Sequence, residues 1–259
     1  MRGHTAIHSA AKYALPVALG FAWVAVAQQQ PPAQNQAGQA KPKVFAVGRL
    51  GDEPPEEHRP PLFFREEWKR MPKDEEHPLT QADLVNQDLE VKIYGDQTGI
   101  LEVQHSRPVG EPTMAWTGLC KSNCALALRD KNNYVDLTGF AKIKWQNKQS
   151  GFHLLRPIIK LADGTWLIGD HADADSVDWR VTEITFPDIR WRKLDINQVT
   201  EANNGAIWID HPDLTKVDEI GFTDLMRGTG HGGGGASRVA WIEVYGNPVP
   251  RSTQQSSAK

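Results

Sequence analysis

Sulfur-containing residues are scarce in this chain of 259 residues, which has two cysteines and four methionines. Two cysteines alone argue against a cysteine-ligated metal site, and their CKSNC spacing differs from the C-x-x-C-H motif of covalent haem attachment. The sequence also lacks a G-x-S-x-G elbow, an H-E-x-x-H motif and a phosphate-binding loop. No motif therefore assigns the chain to a class of enzymes.

Long hydrophobic runs are missing after the N-terminus. The apolar run at 13–27 is preceded by Arg2 and Lys12 and ends in the tripeptide AVA, an A-x-A-like site for signal peptidase. It is shorter than the roughly 20 apolar residues that span a bilayer. We therefore predict a cleavable signal peptide at 1–27 and an exported protein, periplasmic or extracellular. The alternative is an N-terminal anchor that is never cut.

A strong charge of either sign is also missing, since 29 basic residues face 32 acidic ones. Removal of Arg2 and Lys12 with the signal peptide leaves 27 against 32. A weakly acidic chain offers no electrostatic footprint for nucleic acid, and it argues against an anionic membrane surface as a partner. No later segment is long and apolar enough for a membrane span.

Tryptophan, in contrast, is plentiful. The signal segment holds one of the nine, and we expect most of the other eight to fill a core, because indole buries a large apolar area. The alternative for one or two of them is an exposed position, as a platform for a ligand. Those eight are Trp68, Trp116, Trp145, Trp166, Trp179, Trp191, Trp208 and Trp241.

The remaining chain divides by composition into four segments. Residues 28–61 are predicted to be a disordered Gln/Pro-rich linker, 62–88 an irregular segment packing on the domain, and 247–259 a disordered tail. Residues 89–246 hold short runs of alternating polarity separated by turn residues, which indicate an antiparallel sandwich or barrel. Pro157 lies inside one run and predicts an edge strand or a bulge there.

The alternating runs also predict which side chains form the core. The inward positions are Val91, Ile93, Ile143, Trp145, Ile158, Ile220, Phe222, Ile242 and Val244.

A disulfide between Cys120 and Cys124 is predicted, because an exported chain with two cysteines usually pairs them. Four residues of extended strand span roughly 13 Å, whereas a disulfide needs Cα atoms within about 7 Å. The segment must therefore curl into a turn.

Three segments of this chain resemble the galactose-binding-like jelly-roll domains: YVDLTGFAKIKW at 134–145, LTKVDEIGFTDLM at 214–226 and SRVAWIEVYG at 237–246. The resemblance implies an all-β fold, an antiparallel β-sandwich (jelly roll). Members of that family include carbohydrate-binding modules, other adhesion modules and domains attached to enzymes. Ala240 stands near a position where many members carry an Asp, and this departure puts their metal site in doubt here.

The segment PLFFREEW at 61–68 resembles the aromatic opening of a secreted jelly-roll family that cleaves 3-keto-glycosides. That resemblance implies a glycoside-processing enzyme, and no catalytic residue matches beyond the opening.

The loop GDHADADSVDW at 169–179 is the first candidate site. Its Asp170, Asp173 and Asp175 are candidate ligands for Ca²⁺, which prefers several carboxylate oxygens, and His171 is a candidate ligand-binding residue. The spacing is not that of an EF-hand. A solvated loop and a pair of catalytic carboxylates are the alternatives. Apart from Ca²⁺, no cofactor is predicted.

Two further segments complete the candidate site. Trp191 stands between Arg190 and Arg192, and Trp191 or Trp166 would stack on a sugar while Arg192 binds hydroxyls. The alternative is an ordinary strand with Trp191 inward. The Gly-rich loop at 227–238 carries His231, a hydrogen-bonding candidate if the loop is not merely flexible.

Sandwich loops cluster at the ends of the strands, so the segments 165–178, 190–192 and 227–238 are expected to share one rim. Their mix of Trp, His, Asp, Arg and Gly suits a sugar. We therefore predict an exported, non-catalytic carbohydrate-binding β-sandwich whose partner is a glycan. The alternatives are a secreted glycoside-processing enzyme, hydrolase or lyase, and an envelope protein-interaction domain.

Overall fold

The fold is all-β within residues 59–231 and 234–251, which are the residues that the computed structural model describes. The signal peptide, most of the linker at 28–61 and residues 252–259 lie outside that range, and their assignments stay predictions. No helix in the described ranges is long and apolar enough to cross a membrane.

Seventeen strands and three short 3-10 helices make up the described chain. The 3-10 helices are Gln81–Asp83, Phe186–Asp188 and Ala202–Gly205. The strands are β1 (Leu62–Glu66), β2 (Glu75–Pro78), β3 (Leu89–Gly95), β4 (Leu101–Gln104), β5 (Met114–Trp116), β6 (Cys124–Asp130), β7 (Asn133–Asp136), β8 (Lys142–Gln149), β9 (Leu155–Leu161), β10 (Trp166–Gly169), β11 (Arg180–Thr185), β12 (Trp191–Asp195), β13 (Thr200–Glu201), β14 (Trp208–Ile209), β15 (Val217–Asp224), β16 (Ser237–Tyr245) and β17 (Asn247–Pro250).

These strands form two antiparallel sheets. The seven-stranded sheet has the order β11-β8-β16-β5-β4-β2, and β1 also pairs with β16. The ten-stranded sheet has the order β13-β12-β10-β9-β15-β6-β3, with β14 beside β12, β7 beside β15 and β17 beside β7. The predicted antiparallel β-sandwich is confirmed.

The main core lies where the inward side chains of both sheets meet. β8 shows the cause most clearly, because its residues alternate strictly between half-buried and buried and place Ile143 and Trp145 in the core. The predicted core is confirmed with two refinements. Val91 and Ile93 pack against the core but are only half-buried, and Ile158 belongs to a second cluster on the outer face of the ten-stranded sheet.

Tryptophan fills much of the interior, as predicted. Trp68, Trp116, Trp145, Trp166 and Trp191 are buried, and the other three described indoles are half-buried.

The segment 62–88 is more regular than predicted. It contributes β1 and β2 to the seven-stranded sheet, because β16 is longer than β5 and leaves an edge on which β1 pairs. The fully buried carboxylate of Glu66 then fastens the chain by accepting the backbone N–H groups of Trp68, Val85 and Asn86. Part of the predicted C-terminal tail is also regular, since β17 pairs with β7.

Pro157 corrects another expectation, since β9 lies between β10 and β15 and is not an edge strand. Proline has no N–H for the ladder. The neighbouring Arg156 supplies the missing donors, because its Nε and Nη2 donate to the Gly169 carbonyl at 2.9 and 2.6 Å. Gly169 is also required here, since a Cβ on it would lie 2.8 Å from the Pro157 ring.

The predicted disulfide is confirmed. Cys120 and Cys124 are bonded, and their Cα atoms lie 6.3 Å apart across the expected turn.

Candidate functional site

The outer face of the ten-stranded sheet carries an aromatic and charged cluster, which we call the outer-face cluster: Lys92, Tyr94, Lys160, Trp166 and Glu219. The fully buried Glu219 accepts from Lys92 Nζ and Lys160 Nζ at 2.9 Å each and from the Tyr94 hydroxyl at 2.7 Å. Burial, followed by the Glu219 carboxylate, raises the pKa of Tyr94. Every charge in the cluster therefore has a partner inside the protein.

Trp166 belongs to that cluster and is only 6% exposed. Its ring meets the Tyr94 ring edge-on at 5.0 Å, and Val199 packs in the same apolar group. Asn123 Nδ2 donates to the Val199 carbonyl at 2.8 Å and so stabilises the position of the Val199 segment beside Trp166. A ring enclosed on this scale offers no face to a sugar, so the structure argues against Trp166 as a platform.

Trp191 points into the main core and is 2% exposed, which is the alternative orientation considered for the segment 190–192. It stacks with Phe186 at 6.4 Å. Strand alternation then places Arg190 and Arg192 on the opposite side. The expectation that Trp191 stacks on a ligand is therefore not supported by its burial.

Asp170 and His171 lie beside Arg190, as the predicted shared rim requires. The backbone N–H of Asp170 donates to the Arg190 carbonyl, and the Arg190 N–H donates to Asp170 Oδ1, each at 3.0 Å. His171 Nδ1 lies 3.1 Å from the same carboxylate oxygen. The segments 165–178 and 190–192 thus meet.

Asp173 has a structural role, unlike the metal-ligand role predicted for it. Its buried carboxylate accepts from Trp145 Nε1 at 2.6 Å, Asn147 Nδ2 at 2.9 Å and Thr182 Oγ1 at 3.0 Å. The carboxylate thereby supplies the acceptor for the indole N–H of Trp145, a core residue. Asp173 does not gather with Asp170 and Asp175 into a ligand set among the described residues, so Ca²⁺ binding stays a prediction without a cluster to support it.

His231 lies elsewhere on the surface. Its Nε2 is 2.8 Å from both carboxylate oxygens of Glu76, and its ring lies 5.2 Å from that of Trp116. The end of the same Gly-rich loop packs beside His153, whose Nδ1 lies 2.6 Å from Asp224 Oδ2. His153 is 2% exposed, so this pair is enclosed in the protein.

A cleft of about 440 Å³ opens beside β12 and β14. We call it the Trp208 cleft. Its surface combines apolar and polar side chains, chiefly Pro187, Arg190, Trp208, Ile209, Asp210 and His211. A second cleft of about 410 Å³ has a mixed lining that includes the charged residues Glu67, Arg70, Lys73 and Glu111.

Trp208 is the half-buried aromatic residue of its cleft. The guanidinium carbons of Arg190 and Arg192 each lie 4.1 Å from its ring centroid, within the range of cation–π attraction. Arg192 is committed elsewhere, because its Nη1 donates to Glu201 at 2.6 Å. Burial would raise the pKa of Glu201, but Arg156 and Arg192 outweigh it and lower that pKa. Arg190 is exposed and has no carboxylate within ion-pair distance among the described residues.

Sequence reasoning missed Trp208, Asp210 and His211 as site residues. The signal was present in the segment WIDHP at 208–212, where an aromatic, an acid and a histidine precede a proline. β14 pairs with β12 in the register Arg192 to Trp208. That pairing brings the missed residues to the predicted arginines.

A second polar cluster lies between β2 and β4, and sequence reasoning missed it as well. His77 Nε2 lies 3.1 Å from Asp83 Oδ1 and 3.3 Å from Glu102 Oε2. Burial raises the pKa of Glu102 to about 8, helped by the nearby carboxylates of Asp83 and Glu66. For Asp83, burial acts in the same direction, but hydrogen bonds from Thr80 and His77 outweigh it and hold its pKa below the usual value.

No protein-family model matches the chain, and no curated protein matches it either. Among solved structures, the chain is similar to a family 11 carbohydrate-binding module of a cellulosomal cellulase of Clostridium thermocellum. The identity is 16% and the TM-score 0.34, over 62% of this chain and 85% of the module.

A second family 11 module from Clostridium thermocellum, in complex with a β-1,3-1,4-mixed-linked tetrasaccharide, has 18% identity and a TM-score of 0.36 over 68% of this chain and 98% of the module. An exo-β-agarase has 13% identity and a TM-score of 0.36 over 67% of this chain and 25% of the agarase. At these scores the similarities decide nothing about a ligand, and the β-sandwich is established by the two sheets themselves.

Proposed function

We propose that this chain is an exported, non-catalytic carbohydrate-binding protein and that the Trp208 cleft holds the sugar. The observation that carries the proposal is Arg190. Its guanidinium lies over the Trp208 ring at 4.1 Å, is exposed, and has no ion-pair partner among the described residues. Such a group can bind a ligand without breaking an internal contact.

The dimensions and composition of the cleft support a saccharide. Its volume of about 440 Å³ falls in the range of small-molecule sites, which combine apolar walls with a few polar groups. Pro187, Trp208 and Ile209 supply apolar surface for the CH groups of a pyranose. Asp210 and His211 supply hydrogen-bonding groups for hydroxyls.

The free cation favours an acidic sugar. A guanidinium binds a carboxylate through two parallel hydrogen bonds, a geometry that a hydroxyl cannot reproduce. An exposed guanidinium of this kind suits a uronic-acid-containing glycan.

Export is part of the proposal and is supported by the sequence at 1–27. Mass spectrometry of protein recovered from outside the cytoplasm should find a mature N-terminus near Gln28. An intact Met1 or Arg2 terminus on that protein would remove the signal-peptide interpretation.

The binding test uses Arg190→Ala and Trp208→Ala with Lys193→Ala as the matched control. Lys193 is an exposed cation on β12, the strand that follows Arg190, and it does not line the cleft. Isothermal titration with a uronate oligosaccharide and with a neutral β-1,3-1,4-mixed-linked tetrasaccharide should show binding of the acidic sugar. Both cleft variants should weaken that binding at least tenfold, and the control should not.

Three results would overturn the proposal. Unchanged affinity in both folded cleft variants would remove the cleft. Turnover of a glycan by the wild-type protein would favour the secreted glycoside-processing enzyme. Capture of an envelope protein by the wild-type chain, with no glycan bound from a broad array, would favour the interaction domain.

A further inference from the structure

The cluster between β2 and β4 brings one imidazole and two carboxylates together from three places in the sequence. His77 and Glu102 are direct cross-strand partners in the β2–β4 ladder. Asp83 comes from the 3-10 helix Gln81–Asp83, whose capping box with Thr80 holds its carboxylate in place. One ligand atom from each of the three residues lies within 4.8 Å of the others. The cluster is separate from the Trp208 cleft.

The two distances from His77 match those between ligands of a tetrahedral metal ion. Bonds of about 2.0–2.1 Å to nitrogen and oxygen place neighbouring ligand atoms roughly 3.3 Å apart. His77 Nε2 lies 3.1 Å from Asp83 Oδ1 and 3.3 Å from Glu102 Oε2. A single imidazole nitrogen also faces both carboxylates, and one N–H cannot make a good hydrogen bond to each of them.

Glu102 supplies an independent observation. Its side chain is 1% exposed, and its Oε1 has no hydrogen-bond partner among the described residues. A buried carboxylate oxygen without a donor is costly, because it has lost its hydration and gained nothing in return. A bound cation would satisfy this carboxylate and the neighbouring Asp83 carboxylate together.

We propose that His77, Asp83 and Glu102 bind a divalent transition-metal ion, with Zn²⁺ as the ion of best fit. Imidazole nitrogen suits Zn²⁺ better than it suits Ca²⁺ or Mg²⁺, which prefer oxygen alone. The His77 side chain is 42% exposed, so the fourth position opens towards solvent and takes water. The ion would tie β2 and the following 3-10 helix to β4.

The test is Zn²⁺ titration of the full chain after chelator treatment, by isothermal calorimetry and thermal unfolding. We expect one saturable site and a Tm raised by about 5–10 °C at a hundredfold excess over the Kd. His77→Ala should weaken that binding at least tenfold, and the isosteric Glu102→Gln should weaken it while keeping the fold. Zinc K-edge absorption should show one nitrogen from the protein and oxygens around the ion.

His231→Ala is the matched control, because His231 is also an exposed histidine beside a carboxylate, Glu76, but lies outside the cluster. It should leave Zn²⁺ affinity and the Tm shift unchanged. Equal Zn²⁺ affinity in wild type and His77→Ala would overturn the proposal. So would Ca²⁺ binding that Glu102→Gln abolishes and His77→Ala does not affect, since that result needs a site of oxygens alone.

Discussion

The outer-face cluster and the Trp208 cleft are built from the same materials, an indole beside cations, but they are arranged in opposite ways. In the outer-face cluster, Lys160 lies 5.9 Å from the Trp166 ring and also pairs with Glu219, which is fully buried. In the cleft, Arg190 lies 4.1 Å from the Trp208 ring, and no described carboxylate pairs with it.

This difference separates a surface that stabilises the fold from the surface that we propose for binding. A buried carboxylate with two lysines and a tyrosine hydroxyl has no capacity left for a ligand, and removing the carboxylate leaves Lys92 and the Tyr94 hydroxyl without their partner. An exposed arginine on a half-buried ring costs the fold little and is available to a partner. Residue type alone does not distinguish the two regions, whereas the partners of each charge do.

The largest expected effect is on the outer-face cluster. Glu219→Ala should lower the free energy of unfolding by about 2–4 kcal/mol, because it leaves Lys92 and the Tyr94 hydroxyl without their buried partner and leaves Lys160 with Asp218 alone. Urea unfolding monitored by tryptophan fluorescence measures the change. Sugar binding at the Trp208 cleft should be unaffected in the folded variant.

Glu183 offers a matched control, since it also pairs with two lysines, Lys142 and Lys144. Its side chain is 44% exposed, so Glu183→Ala should cost less than about 1 kcal/mol. Equal losses for Glu183→Ala and Glu219→Ala would show that burial does not separate the two sites.

The disulfide should give the next largest effect. Replacing Cys120 and Cys124 by alanine removes a disulfide that closes a short loop. Its loss raises the conformational entropy of the unfolded chain and should lower the free energy of unfolding by roughly 2 kcal/mol. The turn between them carries Asn123, whose side chain donates a hydrogen bond to the Val199 carbonyl, and Val199 packs in the same apolar group as Trp166. Hydrogen exchange in the segment 195–200 should therefore rise in the double variant. Unchanged exchange in that segment would show that the Cys120–Cys124 turn does not stabilise it.

Alternating apolar and polar residues predict a strand wherever one of its faces is buried and the other faces solvent. β8 and β16 follow this rule, and the alternation of polarity is visible in their sequences. β6 shows no alternation in its first five residues, because all of them are buried and both faces are covered there. The segment 62–88 was predicted to be irregular because the place of β1 depends on an edge of β16 and that of β2 on the edge of β4, which no local pattern reveals.

The candidate site was predictable only in part, for a related reason. Sequence patterns could select Arg190, Trp191 and Arg192 but left the inward or outward orientation open. Trp208 enters the site through the β12–β14 register, and His77 meets Glu102 through the β2–β4 register. Registers between strands distant in sequence are set by the whole sheet and cannot be derived from either strand alone.

Acid should weaken the ion pairs of Asp218, the residue before Glu219 on β15. Asp218 contacts Arg129, Arg251 and Lys160 at 3.0, 2.6 and 3.2 Å. Burial would raise its pKa, but these cations outweigh burial and lower it. A lowered folded-state pKa contributes stability above the unfolded pKa, and that stability is lost as the pH falls through the folded value.

Asp218→Asn should therefore cost about 1–2 kcal/mol at pH 7. The difference from wild type should shrink as the pH falls below about 4, the unfolded-state pKa of Asp. Urea unfolding at pH 7 and pH 3 measures both values. A difference that stays constant across this range would show that the Asp218 charge contributes nothing to stability.

The smallest expected effect sharpens the account of the cleft. Arg190→Lys keeps the positive charge but removes the planar fork that binds a carboxylate through two hydrogen bonds and stacks on indole. Stability should change by less than about 0.5 kcal/mol, because Arg190 is exposed and unpaired among the described residues. Affinity for a uronate oligosaccharide should fall about three- to tenfold, a loss of roughly 1 kcal/mol. The titration is repeated at low and high salt. Salt screens the positive charge at position 190 equally in wild type and in Arg190→Lys, so charge alone would give both proteins the same loss of affinity for the uronate. If Arg190→Lys binds as tightly as wild type at both salt concentrations, the guanidinium geometry is irrelevant, and the cleft attracts acidic ligands by charge alone.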